Sequence, residues 1–410
     1  MTLFGGVVPV TGVTFLMFSL IAILAVGYAL GRITIKGVSL GSAGVFLVAL
    51  LYGCLFYKNL DSQLSGFTGN ALKIVENLGL VLFVTSVGFI AGPKFFSNMK
   101  KNFTSYVLLG LVIIISGALV AVGCVYVGRL MGETDMAKLS AIVSGLFAGA
   151  LTSTPAFSAA KASVASPEME QLVSVGYGIA YIFGVIGVVL FVQLLPKILK
   201  VNMAEEREKL VVAEKTASSQ KSAGKLIELD DFGIAPFAIA ALIGIFIGMV
   251  KIPLSSAGLN GTTFSLTTTG GCLLASLVFG HFGKAGRINI MPSTTTLKVF
   301  RELGLVLFLA GAGVSGGARF VQEFKIDYFV YGVIMTIFPM IVGFIFAKYV
   351  LKINILNILG SITGGMTSTP ALGTLIHVAG TEDVAAAYAA TYPIALVAVV
   401  FAAQFIIILF

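Results

Sequence analysis

Two copies of Thr-Ser-Thr-Pro-Ala, at 152–156 and 367–371, each follow a Gly-x-x-x-Gly run inside a long apolar stretch. Pro155 and Pro370 donate no backbone hydrogen bond and bias the preceding threonine away from helix, so the chain must break there. A break within lipid frees N–H and C=O groups that must turn to protein, water or cargo. Restarting the helix with Thr154 or Thr369 as N-cap and proline at the first helical position presents unpaired N–H groups and the positive end of a helix dipole, which suits a carboxylate. The hydroxyls of Thr152, Ser153, Thr154, Thr367, Ser368 and Thr369, with the carbonyls ending the preceding arm, can instead take Na⁺ or an ammonium group. Gly149, Gly364 and Gly365 would let the backbone approach cargo closely. One such motif reads equally well as a kink whose Ser and Thr bond back to their own helix; two at equivalent positions favour a substrate or ion site.

A membrane-spanning frame must position these segments. Of 410 residues, 58% are hydrophobic and 11% charged, with mean hydropathy +1.03, which excludes a soluble globular domain. Windows long enough to cross about 30 Å of hydrocarbon fall near 14–31, 40–57, 75–92, 105–128 and 172–196, then near 233–250, 268–283, 300–317, 328–347 and 385–409. The motif stretches, 139–166 and 353–378, lie between the fourth and fifth window of each set. No basic leader or small-residue cleavage site marks the first span, which reads as a retained helix. Mixed charge over 201–231 reads as a solvated cytoplasmic linker between a membrane repeat at 1–200 and a second at 232–410. The expected fold is an all-α polytopic membrane protein with about five transmembrane helices and one re-entrant or broken hairpin per repeat.

The repeats are legible in matched blocks. Residues 72–83 (LKIVENLGLVLF) match 297–308 (LKVFRELGLVLF), and Gly88 and Gly92 match Gly313 and Gly317. Gly145 and Gly149 match Gly360 and Gly364, while Tyr177, Tyr181 and Gln193 match Tyr388, Tyr392 and Gln404 at identical spacing. Hairpins would make the repeats inverted, whereas full crossings would make them parallel. A cytoplasmic linker places roughly two-thirds of the Lys and Arg on that side either way, so the positive-inside rule orients the chain without deciding its symmetry. Geometry favours the hairpin: the arm from Lys138 to Thr152 extends only about 20 Å as helix, to mid-membrane. A broken full-length crossing is the alternative.

Other residues carry two readings each. Tyr177 and Tyr181, like Tyr388 and Tyr392, share a helix face and either line the cargo path or pack as pairs. Gln193 and Gln404 read as interhelical contacts. Lys73, Glu76, Lys298, Arg301 and Glu302, at the start of spans, read as snorkelling to the interface before gating. His281 and His377 lack an acidic partner within a helical turn, which disfavours proton coupling. Mid-span Asp and Glu are absent from the predicted windows, against a proton or metal-ion carrier and in keeping with an anionic cargo held by backbone dipoles and hydroxyls, coupled either by substrate-for-substrate exchange with no cofactor or by Na⁺ held by neutral oxygens. Cys54, Cys124 and Cys272 show no disulfide or metal spacing. No catalytic constellation can be assembled, so an enzyme is not expected; a channel suits broken, glycine-rich helices less well than alternating access. The +8 charge is scattered between spans, which argues against nucleic acid.

The paired blocks, Gly-Leu-Val-Leu-Phe before a Gly-x-x-x-Gly turn and Gly-x-x-x-Gly-x-x-Thr-Ser-Thr-Pro-Ala once per half, resemble the aspartate–alanine exchanger family of bacterial secondary transporters. The resemblance covers nearly all of both membrane halves. It implies a multi-pass protein of the bacterial inner membrane that exchanges small carboxylates or amino acids, such as aspartate or C4-dicarboxylates, through an elevator-like movement in a homodimer. Many members hold a large regulatory region between the halves; this chain has only its short linker, so regulation through that region is not expected.

Overall fold

The computed structural model describes residues 2–3, 8–9, 11–35, 38–39, 41–64, 66–202, 205–207, 227–253, 263–381 and 383–410. Most of the charged linker, 208–226, lies outside the described residues. The first half contributes α1 (Gly12–Gly31), α2 (Ala43–Leu64), α3 (Thr68–Asn102), α4 (Leu108–Leu130), α5 (Met136–Ala150), α6 (Thr154–Ser163) and α7 (Pro167–Ile198). The second contributes α8 (Ile234–Gly248), α9 (Thr267–Phe282), α10 (Thr294–Glu323), α11 (Ile326–Ile345), α12 (Ile355–Gly365), α13 (Thr369–Ala379) and α14 (Val384–Leu409). Among the described residues 7 helices are long and apolar enough to cross a membrane, which makes this a multi-pass membrane protein. Both halves run through the same order of helices, with the motif stretch as a pair of short helices before the last.

Four antiparallel ribbons of two or three residues per strand add to the all-helical expectation: Thr2–Leu3 with Val8–Pro9, Thr34–Ile35 with Val38–Ser39, Lys251–Pro253 with Thr263–Ser265, and Lys284–Ala285 with Ile288–Asn289. The second and fourth close the short turns between α1 and α2 and between α9 and α10, where backbone groups leaving one helix would otherwise lack partners.

Lipid gives apolar helices little reason to associate, so close packing at small residues holds this bundle together. Helices α3 and α10 cross at Gly79 and Gly304, where a Cβ on Gly79 would lie 2.6 Å from the Phe308 nitrogen and one on Gly304 2.5 Å from the Gly79 oxygen. Beyond that crossing α3 packs on α9 at Gly88, and α10 packs on α2 at Gly313. Each half therefore seats its long third helix against the second helix of the other.

Polar contacts gather at two opposite ends. At the end where α7 begins, Arg319 pairs with Glu168 (2.8 Å), Lys73 with Glu170 (2.7 Å) and Lys138 with Glu323 (2.6 Å). At the linker end, Asn354 donates to Glu206 (2.5 Å), Tyr28 donates to Glu302 (2.9 Å), and Ile227 bonds to the ribbon turn ahead of α10 through Arg287 and Asn289. Lys138 starts α5 and Asn354 caps α12, so the two motif hairpins enter from opposite ends.

One expectation is overturned here. Glu76 does not snorkel: it is 7% exposed and its carboxylate sits 2.6 Å from Lys161 Nζ on α6, itself 4% exposed. Two charges taken out of water survive only when paired, and α6 brings the partner.

Candidate functional site

Both motifs break their helices in the same way. Thr152 and Thr367 adopt positive φ, 54° and 50°, a rare conformation for a β-branched residue. There each ends a Schellman cap: the Thr152 and Ser153 amides donate to Gly149 and Ala148, and the Thr367 and Ser368 amides to Gly364 and Thr363. Holding β-branched residues in this region costs of order 1–3 kcal/mol, the kind of strain that collects at functional sites. The second arms then restart. The N-cap is Ser153, whose hydroxyl accepts from the Ala156 amide at 3.3 Å, and in the second motif Ser368. This corrects the expected N-caps, Thr154 and Thr369, by one residue; those threonines are the first helical residues, and each proline follows within the first turn. The break falls earlier because the left-handed residue is the first threonine of the motif, not the third. The side chain of Pro370 lies outside the described residues.

The two tips meet. Thr152 Oγ1 donates to the Met366 carbonyl at 3.0 Å and Thr367 Oγ1 donates to the Leu151 carbonyl at 2.8 Å. Leu151 and Met366 are the C-caps of α5 and α12, so each threonine satisfies a carbonyl freed by the other hairpin's break. These two hydroxyls are thereby committed to the tip contact, although both residues border the cavity described next.

A cavity of about 550 Å³ lies beside the tips, lined among others by Thr152, Ser153, Thr154, Pro155, Thr367 and Thr369. Its further walls come from Phe83 on α3, Arg301 and Glu302 on α10, Leu372 on α13, and Tyr388 and Tyr392 on α14. Gly41 and Ser42, next to the α1–α2 turn, place it on the linker side of the tips. Thr369 Oγ1 lies 3.4 Å from the Tyr388 hydroxyl, whose ring stacks on Tyr392 with centroids 5.2 Å apart. The Ser368 hydroxyl is buried with no partner among the described residues.

The opposite side of the tips is filled. Phe157 stacks on Tyr177 at 4.1 Å, Tyr177 stacks on Tyr181 at 4.7 Å, and Phe46 and Phe308 meet Phe157 edge-on. Ser158 and Thr269 share a hydrogen bond of 2.9 Å, and the Lys161–Glu76 pair closes the far end. Of the four tyrosines, Tyr181, Tyr388 and Tyr392 border the cavity, whereas Tyr177 is fully buried in this stack.

The three glycines make close helix contacts. A Cβ on Gly149 would lie 2.6 Å from the Tyr177 carbonyl, and one on Gly364 2.7 Å from that of Tyr388, so each first arm presses on the tyrosine helix of its own half. Gly365 faces Ile113. Gly-x-x-x-Gly acts here as a close-approach surface between helices. Gln404 makes the interhelical contact expected of it, with Nε2 3.4 Å from Thr267 Oγ1.

Three features around the tips went unread in the sequence: the buried pairing of Lys161, the hydrogen bond of Ser158 and the cavity-facing position of Arg301. A lysine inside an apolar stretch was the available signal for the first, because such a charge requires a partner.

The family model described as a predicted permease membrane region matches residues 19–197 and 236–408, leaving the linker between its two blocks. An uncharacterized transporter of Bacteroides thetaiotaomicron is 29% identical, with 93% of this chain and 96% of that protein covered. One from Desulfotalea psychrophila is 22% identical over 94% and 95%, and a putative transport protein of Edwardsiella ictaluri 23% over 96% and 98%. The chain belongs to the Asp-Al_Ex family of predicted permease membrane regions and is a multi-pass membrane transporter.

Proposed function

We propose that this transporter exchanges small carboxylates or amino acids across the bacterial inner membrane by alternating access, with cargo held between the two motif tips. The observation that carries the reading is the cavity of about 550 Å³ ending on both tips, open on one side and filled by Phe157, Tyr177 and the Lys161–Glu76 pair on the other. Its volume falls in the usual range of small-molecule sites, roughly 300–1,000 Å³. Thr154 and Thr369 bring a hydroxyl and the start of a helix to it, suited to an anionic or zwitterionic solute.

Hairpins entering from opposite ends support inverted repeats, the arrangement in which one half's closed geometry becomes the other's on the reverse stroke. With the linker cytoplasmic, the present state is inward-open. The elevator motion and the homodimer belong to the same reading and rest on the family resemblance.

Counterflow in proteoliposomes tests it. Vesicles loaded with aspartate or succinate should take up the labelled solute saturably, and empty vesicles should not. Uptake that requires a Na⁺ gradient and no counter-substrate would replace exchange by symport; an ohmic current would replace the carrier by a channel.

A further inference from the structure

The two hairpins occupy equivalent positions, but the sequence gives them different partners. In the first, Lys161 pairs with Glu76 and Ser158 bonds to Thr269. Counting from the shared motif, α13 carries Ile376 where α6 carries Lys161, and Gly373 where α6 carries Ser158. The match of 72–83 with 297–308 sets Arg301 where the first half has Glu76. The second half thus lacks both members of the ion pair and has a guanidinium at the position of the acid.

Arg301 lines the cavity and, among the described residues, has no carboxylate within ion-pair distance. Glu302, its neighbour in sequence and the other charged residue on the cavity wall, accepts a hydrogen bond from Tyr28. A cation facing a cavity inside an apolar bundle is costly without an anion, and the guanidinium fork matches a carboxylate with two parallel N–H donors. Tyr388, Tyr392, Thr154 and Thr369 border the same space and supply neutral donors around it.

We propose that Arg301 binds the carboxylate of the transported solute, so that cargo supplies the anion this half of the protein lacks. The assignment rests on the carboxylate reading above. Binding to Arg301 would draw Leu372 and the rest of α13 toward α10, as Lys161 holds α6 against Glu76 in the other half.

Thermal unfolding of the purified protein with succinate, L-aspartate and the uncharged diamide of succinate tests this, since a ligand of the folded state alone raises the midpoint. The acids should stabilise the wild type and the diamide should not. Arg301→Gln should need at least about tenfold more acid for the same shift. Arg301→Lys should fall between, and Lys298→Gln, which removes an exposed cation one turn away, should behave as wild type. Equal acid titrations for wild type and Arg301→Gln would overturn the assignment and leave the carboxylate reading standing. Should Arg301→Gln fail to fold, an unchanged titration for Arg301→Lys, which keeps the charge but loses the fork, would overturn it as well. A wild type that responds to neither acid and exchanges neither would remove the carboxylate reading itself, and the role of Arg301 with it.

Discussion

Thr152 and Thr367 stand in a reciprocal relation: each holds a strained left-handed conformation at its own helix end and donates its hydroxyl to the carbonyl preceding the other. Breaking a helix in lipid leaves carbonyls without partners, and here the two breaks satisfy one another. Replacing either threonine by valine keeps the shape and removes the donor, which should cost about 1–3 kcal/mol for the carbonyl left bare. Because the two bonds share one contact, Thr152→Val and Thr367→Val should be non-additive in a double-mutant cycle read by thermal unfolding. Strict additivity would mean that the tips do not act as a unit.

The Lys161–Glu76 pair is more than 90% buried on both sides and ties α6 to α3. Lys161→Met alone strands a carboxylate and should destabilise by about 3–5 kcal/mol, whereas Lys161→Met with Glu76→Leu should recover most of that loss. Unfolding midpoints of the two single variants and the double variant decide it. A double variant no more stable than the single ones would place the cost in packing rather than in unpaired charge.

Asp230 lies outside the membrane-spanning segments, and its carboxylate accepts from the amides of Phe232, Ile234 and Ala235 at the start of α8. Those amides, that of Ala235 first, hold its carboxyl below the usual aspartate range. A lowered folded-state pKa contributes order that is complete above the ordinary aspartate pKa and is lost as pH falls through the lower, folded value. Hydrogen exchange at Ile234 and Ala235, corrected for intrinsic rates, should accelerate over that acidic window in the wild type. Asp230→Ala should exchange fast at every pH, and a wild-type profile flat through the acidic range would remove the capping role.

Much of this organisation follows from local chemistry. Apolar windows fix the helices, because twenty-odd residues without charge must cross as helix or leave the bilayer. Proline after Thr-Ser-Thr fixes the break, and the duplicated blocks locate a second break like the first. The ends of helices were less legible: α3 starts at Thr68, well before its apolar window, with Thr68, Ala71 and Leu72 buried against protein while Gly69, Asn70, Lys73 and Ile74 on its other side are exposed.

The sequence by itself determined the membrane class, the two breaks and their equivalence, since these depend on residue type and spacing within one turn or one span. Tertiary structure alone decided which motif hydroxyls are committed to the tip contact, because the partner of Thr152 is 214 residues away and consumes the donor that the motif offers. It also decided that Glu76 is buried and paired while Arg301, at the matching position, faces the cavity. The fate of a charge in an apolar bundle depends on what lies opposite it, and here only the reach of Lys161 from α6 to Glu76 on α3, with no equivalent lysine on α13, sets that.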